Sequence, residues 1–93
     1  MPCFRIIIIL PLGPSSRIND INNASIHHTL RHYRARFSKV EKYGAHTVYE
    51  TFLCDTDAAG FLYDLPFQSI GWRVGATKLP SVAMGLPYPF QPP

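Results

Sequence analysis

Ninety-three residues, 46% of them apolar and 16% charged, allow one domain with a single core and argue against a chain disordered along most of its length. No apolar run approaches the roughly 20 residues that cross a bilayer as a helix, so a membrane-spanning helix is excluded. The net charge is only +3, yet it is unevenly distributed, and that distribution is the main functional clue.

Phe4 to Leu10 predicts a strand. Ile6 and Ile8 point to one face and Ile7 and Ile9 to the other, so both faces are apolar, as in a central strand covered on both sides. Arg5 followed by an apolar run has the outline of a signal peptide. The β-branched isoleucines favour a strand, however, and no clean small-x-small cleavage site follows, so a cytoplasmic protein is expected. Cys3 and Cys54 are then expected as reduced thiols, able to pair only if the first strand lies beside the end of the second. Pro11 to Pro14 ends the strand. Residues 15–23 are rich in Ser and Asn and read as a loop, with at most one helical turn around Ile18 and Ile21.

The stretch from Ser25 to Tyr43 predicts a helix. Ile26, Leu30, Tyr33, Phe37 and Val40 recur at helical spacing and form one apolar stripe. Ser25, Asn23 or Asp20 could cap its start, and Gly44 suits the left-handed position after its end. Arg31, Arg34, Arg36, Lys39 and Lys42 against Glu41 give this stretch +4, so everything outside it sums to −1.

Ala45 to Cys54, rich in β-branched and aromatic residues, predicts a second strand. Asp55 and Asp57 offer caps to a short helix over Ala58 to Leu65, with Ala58, Phe61, Leu62 and Leu65 on its apolar side, closed by Pro66. Ser69 to Lys78 alternates as a third strand. Ile70, Trp72, Val74 and Ala76 form a buried face; the other is open, and Gly71 and Gly75 flank Arg73 there as a flat strip. Five of the nine prolines fall in residues 80–93, which predicts a polyproline-like tail in which Tyr88 and Phe90 are the partner-binding anchors.

These elements predict a small α+β sandwich over residues 1–79, in the order β-α-β-α-β, with a Pro-rich tail at 80–93. In a three-layer form the isoleucine strand is central in the order 2-1-3, parallel strands are joined by right-handed crossovers, and the helices cover opposite faces. In a ferredoxin-like form both helices lie on one face and one more strand exists. A second copy packing sheet to sheet would then cover the other face, so a homodimer is expected.

Several constellations are candidates for chemistry. His28 and His32 are four apart on one helix face, a chelating spacing, but the surrounding cations disfavour a metal, and no metal site or cofactor is expected. Glu50 with His46, or Asp55 with Asp57, could transfer protons, although the acids equally serve an exposed edge and a helix cap. No nucleophile elbow or phosphate loop is present, so the chain leans away from an enzyme and no catalytic residue is assigned. The basic helix is the strongest feature. His28, Arg31, His32, Arg34, Lys39 and Lys42 are expected to contact a polyanion, nucleic acid first. The alternatives are a small enzyme or ligand-binding domain with a site at the end of the second strand near Asp55, or an interaction protein working through its tail. An apolar first strand, a basic helix and an aromatic second strand together resemble the layout of small ferredoxin-like CRISPR-associated nucleases. Pro11-Leu12-Gly13 stands where that family has an acid, and the resemblance transfers no site residues.

Overall fold

A computed structural model describes residues 2–65 and 72–80. The elements are β1 (Cys3–Pro11), α1 (Ser16–Arg31), β2 (Lys39–Tyr43), β3 (His46–Cys54), α2 (Asp55–Asp64) and β4 (Arg73–Lys78). They make an α+β domain with one four-stranded sheet in the order β2-β3-β1-β4, and every neighbouring pair is antiparallel. Tyr88, Phe90 and the rest of the expected tail beyond Pro80 lie outside the described residues, as do residues 66–71.

The isoleucine strand is central, as expected, with the predicted second and third strands on either side of it. They run antiparallel to it, which corrects the parallel strands of the three-layer form, because a short additional strand, β2, intervenes. The β1–α1–β2 crossover delivers β2 parallel to β1, and a hairpin then turns β3 antiparallel. Gly44, at φ 58°, occupies the first position of that two-residue hairpin turn, where a left-handed conformation matches the twist of the strands.

The largest correction concerns Ser25–Tyr43, which is not one helix. Helix α1 begins nine residues earlier, at Ser16, and ends at Arg31; Lys39–Tyr43 is strand. The cap is Ser15, in extended conformation at φ −146°, whose Oγ accepts from the Ile18 amide at 3.3 Å. None of the three expected caps serves. The Asn19 side chain accepts from the Gly13 amide at 2.6 Å and fastens the preceding turn to the helix. His32 caps the other end, after which Arg34 takes a left-handed conformation, φ 56°, that turns the chain toward the sheet.

One core lies between the sheet and both helices. Ile6, Ile8 and Leu10 of β1 and Tyr49, Thr51 and Leu53 of β3 meet Ile26, Leu30, Ala58, Phe61 and Leu65 there. Each large side chain buried in that layer contributes roughly 1.5–3 kcal/mol. Four of the five residues of the expected stripe do reach this core: Ile26 and Leu30 from the helix, Tyr33 and Phe37 from the segment after it. Val40 remains 44% exposed.

The helices share one face, so among the described residues Ile7 and Ile9 on the other face are covered only by their neighbours in the sheet and stay half-buried. Strand β4 is exposed at all six residues, so Val74 and Ala76 do not form the expected buried face, whereas Trp72 just before the strand is partly buried against the core and Ile70 lies outside the described residues. Cys3 and Cys54 are register partners on β1 and β3 and are joined by a disulfide. This corrects the expectation of two reduced thiols: the side-by-side condition for their pairing is met. Among the described residues no helix is long and apolar enough to cross a membrane.

Candidate polyanion interface

The dissolved helix redistributes the expected contact residues. His28 and Arg31 stand in the last turn of α1, near the negative end of its dipole, where cations are favoured. His32 and Arg34 follow in the turn, and all four are exposed. The His28 and His32 rings meet edge to face with centroids 4.9 Å apart. The structure therefore brings these four together. It separates the other two. Lys39 points to the sheet face away from the helices, opposite Glu50, whereas Lys42 points to the helix side and lines a polar cleft with Asp20, Asn23 and Thr47.

Arg36, a forked donor like Arg31 and Arg34, belongs with the first group. Arg31 and Arg36 line a groove of about 340 Å³ together with His27, Leu30, Ala35 and Phe37. The groove is held from beneath. Thr51, buried on β3, donates its hydroxyl to the Arg36 carbonyl at 3.0 Å, and Ser38 donates both its amide and its hydroxyl to the Glu50 carbonyl, at 2.8 and 3.0 Å. Phe37 packs at 5.1 Å from both the His27 and the Tyr49 rings. Burial, with Arg31 nearby, holds the His27 imidazole below its ordinary pKa.

Among the described residues the ion pairs are Arg5 with Glu50 and Lys39 with Glu41, the latter at 3.7 Å. Both lie on the sheet face away from the helices, and the Arg5 hydrogen bond pulls the Glu50 carboxyl below the usual range. Arg31, Arg34 and Arg36 have no carboxylate partner among the described residues. Guanidinium groups left in this state are suited to forked hydrogen bonds with phosphate oxygens.

The acid–base candidates are dispersed. Glu50 is tied to Arg5, and His46 sits opposite Pro11 at the far end of the same strand. Asp55 and Asp57 lie in the first turn of α2, with Cys54 at the cap position. Asp55 and Thr56 border an apolar pocket of about 560 Å³ formed with Phe4, Ala58, Leu62 and Ala76. Among the described residues no three His, Cys, Asp or Glu side chains converge on a point that could hold a metal ion. No family model matches the chain, and no curated protein matches it in sequence.

Proposed function

We propose that the protein is a small binding module for a polyanion, nucleic acid first, contacting it through the end of α1 and the turn that follows. The observation that carries this reading is the run Arg31, Arg34, Arg36, exposed and without acid partners among the described residues, with His28 and His32 alongside. Lys42 is a secondary contact on this reading, whereas Lys39 leaves β2 on the opposite side, away from the arginine cluster, and falls outside the contact surface. The order of elements and strands fits a ferredoxin-like, split βαβ arrangement, in which such a turn is presented at one end of a rigid sheet. The test is retention of the protein on immobilised duplex DNA, single-stranded DNA, RNA and heparin near neutral pH. Retention on none of these at low salt contradicts the proposal.

A cytoplasmic location goes with this reading. In a reducing compartment the Cys3–Cys54 disulfide would be opened to two thiols. Alkylation during lysis should then trap both in free form, and finding both blocked contradicts the location.

The apolar pocket beside Asp55 favours a second reading, a ligand-binding or enzymatic site. Native mass spectrometry of the purified protein should then show a bound small molecule. A single species at the mass of the bare chain speaks for the first reading.

A further inference from the structure

The sheet face turned away from both helices is ordered from side to side in a way that fits a second copy of this chain. We propose that the protein dimerises by packing this face on itself, about a two-fold axis that runs parallel to the strands between β1 and β3.

The register defines rows of side chains across that face. Along β2, β3, β1 and β4, one row reads Glu41, Val48, Ile9, Arg73. The next reads Lys39, Glu50, Ile7, Gly75, and the one after it runs Phe52, Arg5, Thr77 over three strands. The two four-strand rows are charged or open at their edges, and the third ends on Phe52 and Thr77 with Arg5 between them. Ile9, Ile7 and Val48 at the centre are half-buried, and Phe52 is 47% exposed. An axis along the strands reverses the strand order and keeps the rows. Edge β2 of one copy then faces edge β4 of the other.

This places Glu41 opposite Arg73 of the second copy, twice over, at the two sides of an apolar centre where Val48 meets Ile9. Phe52 meets the guanidinium of Arg5, a cation over an aromatic face. Lys39 faces Gly75, where nothing lies within 4 Å of the position a Cβ would occupy, so the long side chain has room. Glu50 enters the interface already neutralised by Arg5 of its own chain. An axis across the strands would instead set Glu41 against Lys39 and Val48 against Glu50. It fits less well, because Lys39 and Glu41 already pair within one chain, while Arg73 has no acid partner among the described residues. The same patch serves both copies, so the assembly closes at two. The aligned packing of twisted sheets is the expected geometry.

The test is sedimentation of the full chain over a concentration series. The wild type should dimerise. Arg73→Glu and Glu41→Arg should each raise the dissociation constant about tenfold or more, since each opposes like charges twice. The double swap Glu41→Arg/Arg73→Glu should restore most of the affinity. Both positions are exposed on edge strands, and a circular dichroism melt checks that each variant folds. A wild-type monomer at every concentration overturns the proposal, whether residues 81–93 or nothing covers the face. A dimer indifferent to Arg73→Glu overturns it as well, and if that dimer is weakened by Glu41→Arg the axis runs across the strands.

Discussion

Tyr33 crosses α2 at Gly60, and its hydroxyl donates to the Asp64 carboxylate. This contact fastens the basic turn to the second helix, since Tyr33 stands between His32 and Arg34 and its ring also packs edge-on to Phe61 at 6.3 Å. A Cβ at Gly60 would fall 2.7 Å from the Tyr33 hydroxyl oxygen and 3.1 Å from its ring.

Gly60→Ala is therefore expected to destabilise the domain, although alanine is the better helix former. Overpacking costs about 1–3 kcal/mol, against a propensity gain of about 0.8–1 kcal/mol, for a net loss of about 1 kcal/mol. In a Tyr33→Phe background the closest contact is gone, and the same change should cost less. Denaturant melts of the four proteins give the comparison. An equal cost in both backgrounds would disprove the account of this crossing.

Arg34 holds a left-handed backbone without the freedom of glycine. For an L-residue that conformation costs roughly 1–2 kcal/mol. Arg34→Gly is expected to stabilise the fold by about 1 kcal/mol once the greater freedom of glycine in the unfolded chain is included. The same variant should bind polyanions more weakly. Stability rising while affinity falls would identify Arg34 as a residue kept for contact. Unchanged affinity would remove it from the interface.

Acid should destabilise the domain in two stages. The folded-state pKa of His27 lies below its ordinary 6.5, first through burial and then through Arg31. The unfolded chain therefore takes up its proton first as pH falls, and the contribution of neutral His27, complete above 6.5, is lost as pH drops through the folded value. Glu50, lowered chiefly by its hydrogen bond from Arg5, acts later. Its contribution is present above its ordinary 4.5 and is lost below that. Melting temperature followed from neutral pH downward should begin to fall below about 6.5, in the range where imidazole titrates. His27→Gln should flatten that first portion and leave the Glu50 portion in place. A decline that starts only below 4.5 in the wild type would contradict the role given to His27.

Much of the sheet was legible in the sequence, because strands β1 and β3 carry β-branched runs that few other structures accommodate. The neighbours of the isoleucine strand were also legible. What misled was a coincidence of spacing. Tyr33, Phe37 and Val40 follow Ile26 and Leu30 at intervals of three and four, yet they reach their places through a turn and a strand. Two signals pointed to the true layout. Ser15 lies three residues before Ile18, as a cap should, and the Asn-rich stretch behind it obscured the helix that follows. Lys-Val-Glu-Lys-Tyr and His-Thr-Val-Tyr-Glu each carry β-branched or aromatic residues and are separated by the two residues Gly44 and Ala45, the length of a tight hairpin turn with glycine first. The polyanion site was half legible. Composition located the charge but not its division, since moving Lys39 and Lys42 onto a strand sends them to opposite faces. Arg36 joins Arg31 only because Thr51 fixes its backbone from the neighbouring strand, a long-range contact that no local pattern records.

The central claim is that Arg31, Arg34 and Arg36 touch phosphates, and the salt dependence of binding tests it most directly. With three contacts, affinity for a short labelled duplex or single strand should fall about 20- to 40-fold between roughly 50 and 200 mM salt. Replacing each arginine in turn by glutamine should lower the logarithmic slope by about 0.7–0.9, and the triple variant should keep at most the slope of about one residual contact, that of Lys42. Binding that keeps the wild-type slope in the triple variant, or that is absent from the wild type at low salt, would contradict the account.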